Sequence, residues 1–175
     1  DKDYVLLIST VSGTWRYLIG DTIAFTDVER AEIRITGRTK FFLNVVGSQL
    51  SVNKMNKAIQ ELEEQFDIKL PEFTVAAVKI DGEFHHVWHI GTDQEISVTE
   101  EELAEALDKN LQEANKNYSV ARSKALKGVK VNLVPMEIFY EWSGANKKKG
   151  GQVKMEKVMG EEKYEEFEEF VKQNS

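Results

Sequence analysis

The hydrophobic period of this chain first changes between residues 37 and 51, and that change limits the folds open to it. Before it the pattern is short and β-like. Residues 4–9 (Tyr-Val-Leu-Leu-Ile-Ser) read as a buried strand, and residues 21–26 and 31–36 as two more. In "AEIRITG", Ile33 and Ile35 alternate with Arg34 and Thr36, which is period two. After the change, from Val52 onward, Met55, Ile59, Leu62 and Phe66 fall at helical spacing, with Ser51 or Asn53 able to cap the start. A chain patterned this way needs strands first and mixed layers afterwards.

The rest of the pattern fills in those layers. Residues 73–80 and 84–90 are apolar runs separated by Asp81-Gly82, a hairpin signal because glycine takes positive φ freely. Thr99 with Glu102 three residues later forms a capping box ahead of a helix carrying Leu103, Ala106, Leu107 and Leu111. A second helical stretch over 115–126 is expected to end at Gly128, followed by a strand over 129–135 and a short helix over 136–142. The last segment, 161–173, is an acidic amphipathic helix with Tyr164, Phe167, Phe170 and Val171 on one stripe. The expected class is α+β: a small mixed β-sheet with packed helices over 39–175, preceded by a β-rich segment over 1–38, with a hinge near 38–40.

Charge and residue usage remove several functions. The net charge is −7, and a field of that sign repels phosphate backbones, so nucleic acid is not an expected partner. There is no cysteine, which excludes disulfides, thiolate catalysis and cysteine zinc sites and fits a cytoplasmic location. No apolar run approaches the ~20 residues that cross a bilayer, so no membrane partner is expected. The first residue is Asp1, not methionine, so the sequence is expected to start inside a longer protein.

Few residues invite a chemical reading. His85 and His89 share a face of a strand but lie ~13 Å apart, too wide for one metal ion, so a half-exposed strand with polar decoration is expected. The lysines at 147–149 sit in the glycine-rich "GANKKKGG" and read as a flexible, solvated loop. In "WRYLIGD", Asp21 follows a glycine at the end of an apolar run. It suits either hydrogen bonds from vicinal hydroxyls such as those of a ribose, or a turn aspartate that satisfies backbone N–H groups. Arg38 and Lys40 stand where the period changes. They suit an anionic ligand held between two domains, a pivot, or a surface turn with two solvated cations.

Four segments in order carry a resemblance. "YLIGD" (17–21) precedes "GRTK" (37–40) with strands between; "NKNYSVARSKAL" (115–126) and "GGQVKMEKVM" (150–159) follow. Together they resemble the adenylate-forming superfamily, and within it the C-terminal portion of the acyl-acid amido synthetases, the auxin-responsive branch, with a bacterial-type member expected. The resemblance implies the end of a large N-terminal adenylation domain, a hinge, and a C-terminal lid domain. It implies that Asp21 holds the ribose hydroxyls of ATP or AMP, that Arg38 and Tyr17 lie near the nucleotide, and that Lys40 is the pivot. It implies that Lys154 reaches the active site during adenylation. The family carries Pro-Arg after that lysine, whereas Met155-Glu156 stands here, which keeps Lys157 as the other candidate. Gly47-Ser48-Gln49 is neutral where plant members tend to carry a basic residue.

The chemistry implied is ligation: a carboxylic acid, ATP and Mg2+ give an acyl-adenylate, and an amine or amino acid then takes the acyl group and releases AMP. The phosphate loop and acyl pocket would belong to the protein's own N-terminal domain, so this chain alone is expected to be inactive. The competing reading is a non-catalytic binding or interaction domain that has kept the fold.

Overall fold

The computed structural model describes residues 3–38, 42–43, 47–145 and 155–174. Three strands open the chain: β1 (Tyr4–Ile8), β2 (Tyr17–Asp27) and β3 (Glu32–Arg38). They form an antiparallel meander in the order β1-β2-β3. β2 starts four residues earlier than the apolar run at 21–26 suggests, because pairing with β1 extends it back to Tyr17. Much of this sheet's apolar surface is exposed, including Tyr4, Leu7, Tyr17, Leu18 and Ile35.

Two short strands, β4 (Phe42–Leu43) and β5 (Leu50–Ser51), pair antiparallel and lead into α1 (Val52–Phe66). Ser51 is the cap: its hydroxyl accepts from the Lys54 N–H at 3.4 Å. α1 turns Met55, Ala58, Ile59 and Leu62 inward, the stripe expected from its spacing.

The main core is built on β6 (Glu72–Ile80), β7 (Glu83–Gly91) and β8 (Leu126–Val134). β6 and β7 are antiparallel and joined at Asp81-Gly82, where both residues take positive φ, 51° and 85°. That is the type I′ geometry whose twist matches the strands. β7 and β8 run parallel, so the chain must cross over between them, and α2 (Glu100–Ala114) and α3 (Lys116–Lys124) make the crossing. The sheet is therefore mixed, and the domain is α+β. The Thr99–Glu102 capping box forms in full.

The second helical stretch ends earlier than Gly128. α3 stops at Lys124, and Gly128 lies inside β8. The cause is tertiary: the Arg122 guanidinium donates to the carbonyls of Leu126 and Lys127 at 2.6 and 2.5 Å, and β8 already pairs with β7 at Leu126.

α4 (Met136–Ala145) and α5 (Glu161–Asn174) cover the other face of the sheet. Pro135 offers no capping oxygen for α4. Asp93, two residues past the end of β7, supplies one, accepting from the Met136 N–H at 3.2 Å. Here the sheet lies tight against the helix: a Cβ on Gly91 would meet Met136 Sδ at 2.6 Å.

The strand carrying the histidines is not half-exposed. β7 is the central strand and both its faces are covered. His86 is fully buried, 5.7 Å from the Tyr118 ring, and neither ring nitrogen has a hydrogen-bond partner among the described residues. On the opposite face His89 meets Glu168 of α5 at 2.9 Å and packs against the Phe167 ring. Burial pushes the His86 imidazole down to about 3, with Asp108 opposing and Arg122 adding to the shift. His89 is lowered as well, by burial first and against the pull of Glu168.

The sign of the linkage follows. Between its ordinary value of 6.5 and about 3, His86 is protonated in the unfolded chain and neutral in the folded one. Stability is then complete above the unfolded value and falls as pH drops through it, by about 2 kcal/mol from pH 7 to 5 for this one group. Urea denaturation at the two pH values should show that loss, and H86F should show a smaller one. An unchanged loss in the variant would place the acid sensitivity elsewhere.

Candidate functional site

Two of the sequence-predicted residues, Asp21 and Arg38, meet on the β1-β2-β3 meander. Asp21 and Arg38 are directly opposite partners across β2 and β3. The backbone reaches this pairing through Gly20 at φ 86°, and the ladder shifts register between Thr22 and Ile23. Asp21 is half-buried, and Tyr17, at the start of β2, is exposed. Tyr17 and Asp21 lie on one strand four residues apart, ~13 Å at strand rise. The register thus brings Asp21 and Arg38 together and leaves Tyr17 at the far end of that strand.

The meander is tied to α1. The Thr36 hydroxyl donates to Thr22 Oγ1 at 3.1 Å, and the Asn53 amide donates to the Thr36 carbonyl. Between them is a cleft of about 310 Å³ lined by Asp3, Arg34, Ile35, Thr36, Asn53 and Lys54. Arg34, Lys54 and the carboxylate of Asp3 line it beside the N-terminus of α1. Lys40 and Lys154 lie outside the described residues, as does the 147–149 lysine run.

Lys157 can be placed. Its ammonium pairs with Glu72 and lies 4.1 Å from the centre of the Phe73 ring. The segment around it adds to the outer edge of β6. Val75 donates to the Lys157 carbonyl at 3.0 Å, Met159 donates to the Val75 carbonyl at 2.9 Å, and the Thr74 hydroxyl donates to the Glu156 carbonyl at 2.8 Å. Residues 156–159 are therefore held as a short parallel strap.

"NKNYSVARSKAL" is a bracing element. Asn115 is 3% exposed and caps α3, accepting from the Asn117 N–H at 3.0 Å. Its amide donates to the Gln49 and Ser48 carbonyls at 2.8 and 3.3 Å. Ser48 in turn donates to the Leu43 carbonyl at 2.9 Å. The chain just after the period change is thus pinned to the α2–α3 corner. Three groups converge on Asp108: the Tyr118 hydroxyl at 2.6 Å, Arg122 Nε at 2.8 Å and Arg122 Nη2 at 2.9 Å. Burial, and then the Asp108 charge, raise the Tyr118 hydroxyl far above its ordinary value, so it stays a donor. The hydrogen bonds to Asp108 raise Arg122 further. Sequence reasoning missed Asn115 and Asp108 as a brace; the available signal was an asparagine at the start of the second helical stretch, between two helices.

Among the described residues no group of three histidine, aspartate or glutamate side chains could hold a metal ion. Nor is any of their helices long and apolar enough to cross a membrane.

The profile of the GH3 family C-terminal domain matches residues 53–163, and that of the GH3 family central domain matches residues 1–38. The chain belongs to the GH3 family. Two solved structures place the GH3 fold on nearly its whole length. One, "GH3.15 acyl acid amido synthetase", is 20% identical with a TM-score of 0.74, over 98% of this chain and 34% of its own. The other, "AtGH3.15 acyl acid amido synthetase in complex with 2,4-DB", is 20% identical with a TM-score of 0.69, over 98% and 32%. The GH3 chain described here therefore spans about a third of the length of those proteins. The expected bacterial type finds no support in these comparisons. No curated protein matches significantly.

Replacing Asn115 by alanine leaves the Gln49 and Ser48 carbonyls without their donor. N115A should lose about 1–3 kcal/mol of stability by denaturant titration, and hydrogen exchange should quicken around 47–51 before the sheet. Uniform quickening would mean Asn115 only caps α3.

Proposed function

We propose that this chain is the C-terminal portion of an adenylate-forming ligase of the acyl-acid amido synthetase kind. The observation that carries the reading is the Asp21–Arg38 pairing at the end of one sheet, next to the hinge expected near 38–40, in a chain of the GH3 family. Both similar structures are named as acyl acid amido synthetases, which agrees with it. The rest of the large domain supplies the phosphate loop and the acid pocket, and the exposed apolar face of β1-β2-β3 is the surface that domain covers.

In this reading Asp21 accepts from the ribose hydroxyls of ATP and then AMP, with Arg38 and Tyr17 beside the nucleotide. Charge-assisted bonds of that kind contribute roughly 1.5–3 kcal/mol each. The division falls at 1–38 and 39–175, and Lys40 is the pivot that lets the lid present one face for adenylation and another for transfer to an amine. Lys154 is the better active-site lysine, because Lys157 is already committed to Glu72 and the Phe73 ring. A cation aimed at the α-phosphate stabilises the charge that builds there as the carboxylate attacks. Magnesium would act as counter-ion of the triphosphate; the described residues form no cage for it.

Pyrophosphate exchange by the full-length protein with a panel of carboxylic acids tests the lysine. K154A should lose about 10²–10³-fold in adenylation, the loss typical of removing one such donor, while K157A stays within tenfold. The reverse order would transfer the role to Lys157. Exchange by this chain alone would overturn the division of labour itself.

Separating the two half-reactions tests the pivot. Lys40→Pro fixes φ and should slow transfer to the amine more than adenylation, read as pre-steady-state acyl-adenylate formation against amide release. Equal slowing of both would argue against a hinge at this position.

A further inference from the structure

β8 ends the β6-β7-β8 sheet, and no strand among the described residues pairs with its outer edge. Leu133 shows which groups face outward: its N–H leaves the sheet and donates to Glu100 Oε1 at 2.6 Å. The ladder to β7 is regular from Gly128 to Val134. In a regular strand, alternate residues turn both backbone groups to the same side, so Val131 and Val129 also point away from β7. Arg122 occupies the Leu126 and Lys127 carbonyls at the other end. Side chains thus plug both ends of the edge and leave its middle open.

The open middle, with Lys130 on it, forms one wall of a cleft of about 480 Å³, and α2 forms the other, where Glu100, Glu101, Glu105 and Asp108 outnumber the cleft's two cations, Arg122 and Lys130. Asp108 is neutralised by Arg122. Glu101 and Glu105 are exposed and have no ion pair among the described residues. An unpaired strand edge beside a packed helix accepts an added strand, with main-chain bonds for affinity and alternate side chains for choice of partner. On such a strand every second side chain would face the acidic flank of α2.

We propose that the β8–α2 cleft binds an extended peptide segment with lysine or arginine at alternate positions, which adds to β8 as a strand and sets its cations against Glu101 and Glu105. Charge decides the occupant: an acidic flank disfavours acidic segments and nucleic acid.

The probe is the labelled hexapeptide Ac-KVKVKV-amide, titrated into the full-length protein by fluorescence anisotropy, with hydrogen exchange read by mass spectrometry. Saturable binding is expected, weaker at high salt, with exchange slowed over the β8 segment. E101K/E105K alters two exposed side chains and should weaken binding about tenfold, two exposed ion pairs being lost and reversed. Two further peptides, N-methylated at the valines or at the lysines, leave the protein untouched; one of them must lose binding. No binding at millimolar peptide, equal binding by both methylated peptides, or undiminished binding to E101K/E105K would each overturn the proposal. So would protection of β8 before peptide is added, which would assign the edge to another part of the protein or to a second copy.

Discussion

The parallel pairing of β7 with β8 is the constraint on which the remaining architecture depends. A parallel neighbour cannot be reached by a tight turn, so the chain must leave the sheet and return over one of its faces. α2 and α3 make that crossing and bury Leu103, Leu107, Leu111 and Tyr118 in doing so. The opposite face is then left for α4 and α5, which close over Val87, Val134 and His89. One pairing decision thus places four helices and buries the central strand on both sides.

The crossing also braces the segment just after the period change. Asn115 stands at the α2–α3 corner and holds the Ser48 and Gln49 carbonyls, while Asn117 donates to the Gln49 side chain at 2.8 Å. This corner fixes the short β4–β5 pair to the body of the β6-β7-β8 layer. Earlier in the chain, β2 and β3 set Asp21 opposite Arg38, and Asn53 of α1 reaches back to Thr36.

The local elements were legible because their causes are local. The Asp81-Gly82 turn, the Thr99–Glu102 box and the α1 stripe each rest on residues a few positions apart, and each forms as expected. Gly128 misled for the opposite reason. Its helix-ending signal is local, but the earlier stop at Lys124 comes from Arg122 bonding forward and from β7 pairing with Leu126. The histidines misled in the same way: polar residues on a strand suggest an open face, and only the helices on both sides show that His86 and His89 are buried. For the site, the order of "YLIGD" and "GRTK" was visible, but their meeting was not, since register across two strands is set by bulges and turns.

By itself the sequence determined the class of the fold, the caps and turns, and the position at which β pattern yields to helix, because hydrophobic period and turn chemistry are properties of neighbouring residues. The tertiary structure alone decided three things: that Asp21 faces Arg38, that Lys157 is committed to Glu72 and Phe73, and that an asparagine at a helix corner braces residues 48 and 49. Each of these joins groups separated by 17 to 85 positions in the sequence. Contacts at such range arise only when packed layers bring distant segments together, and no local pattern encodes them.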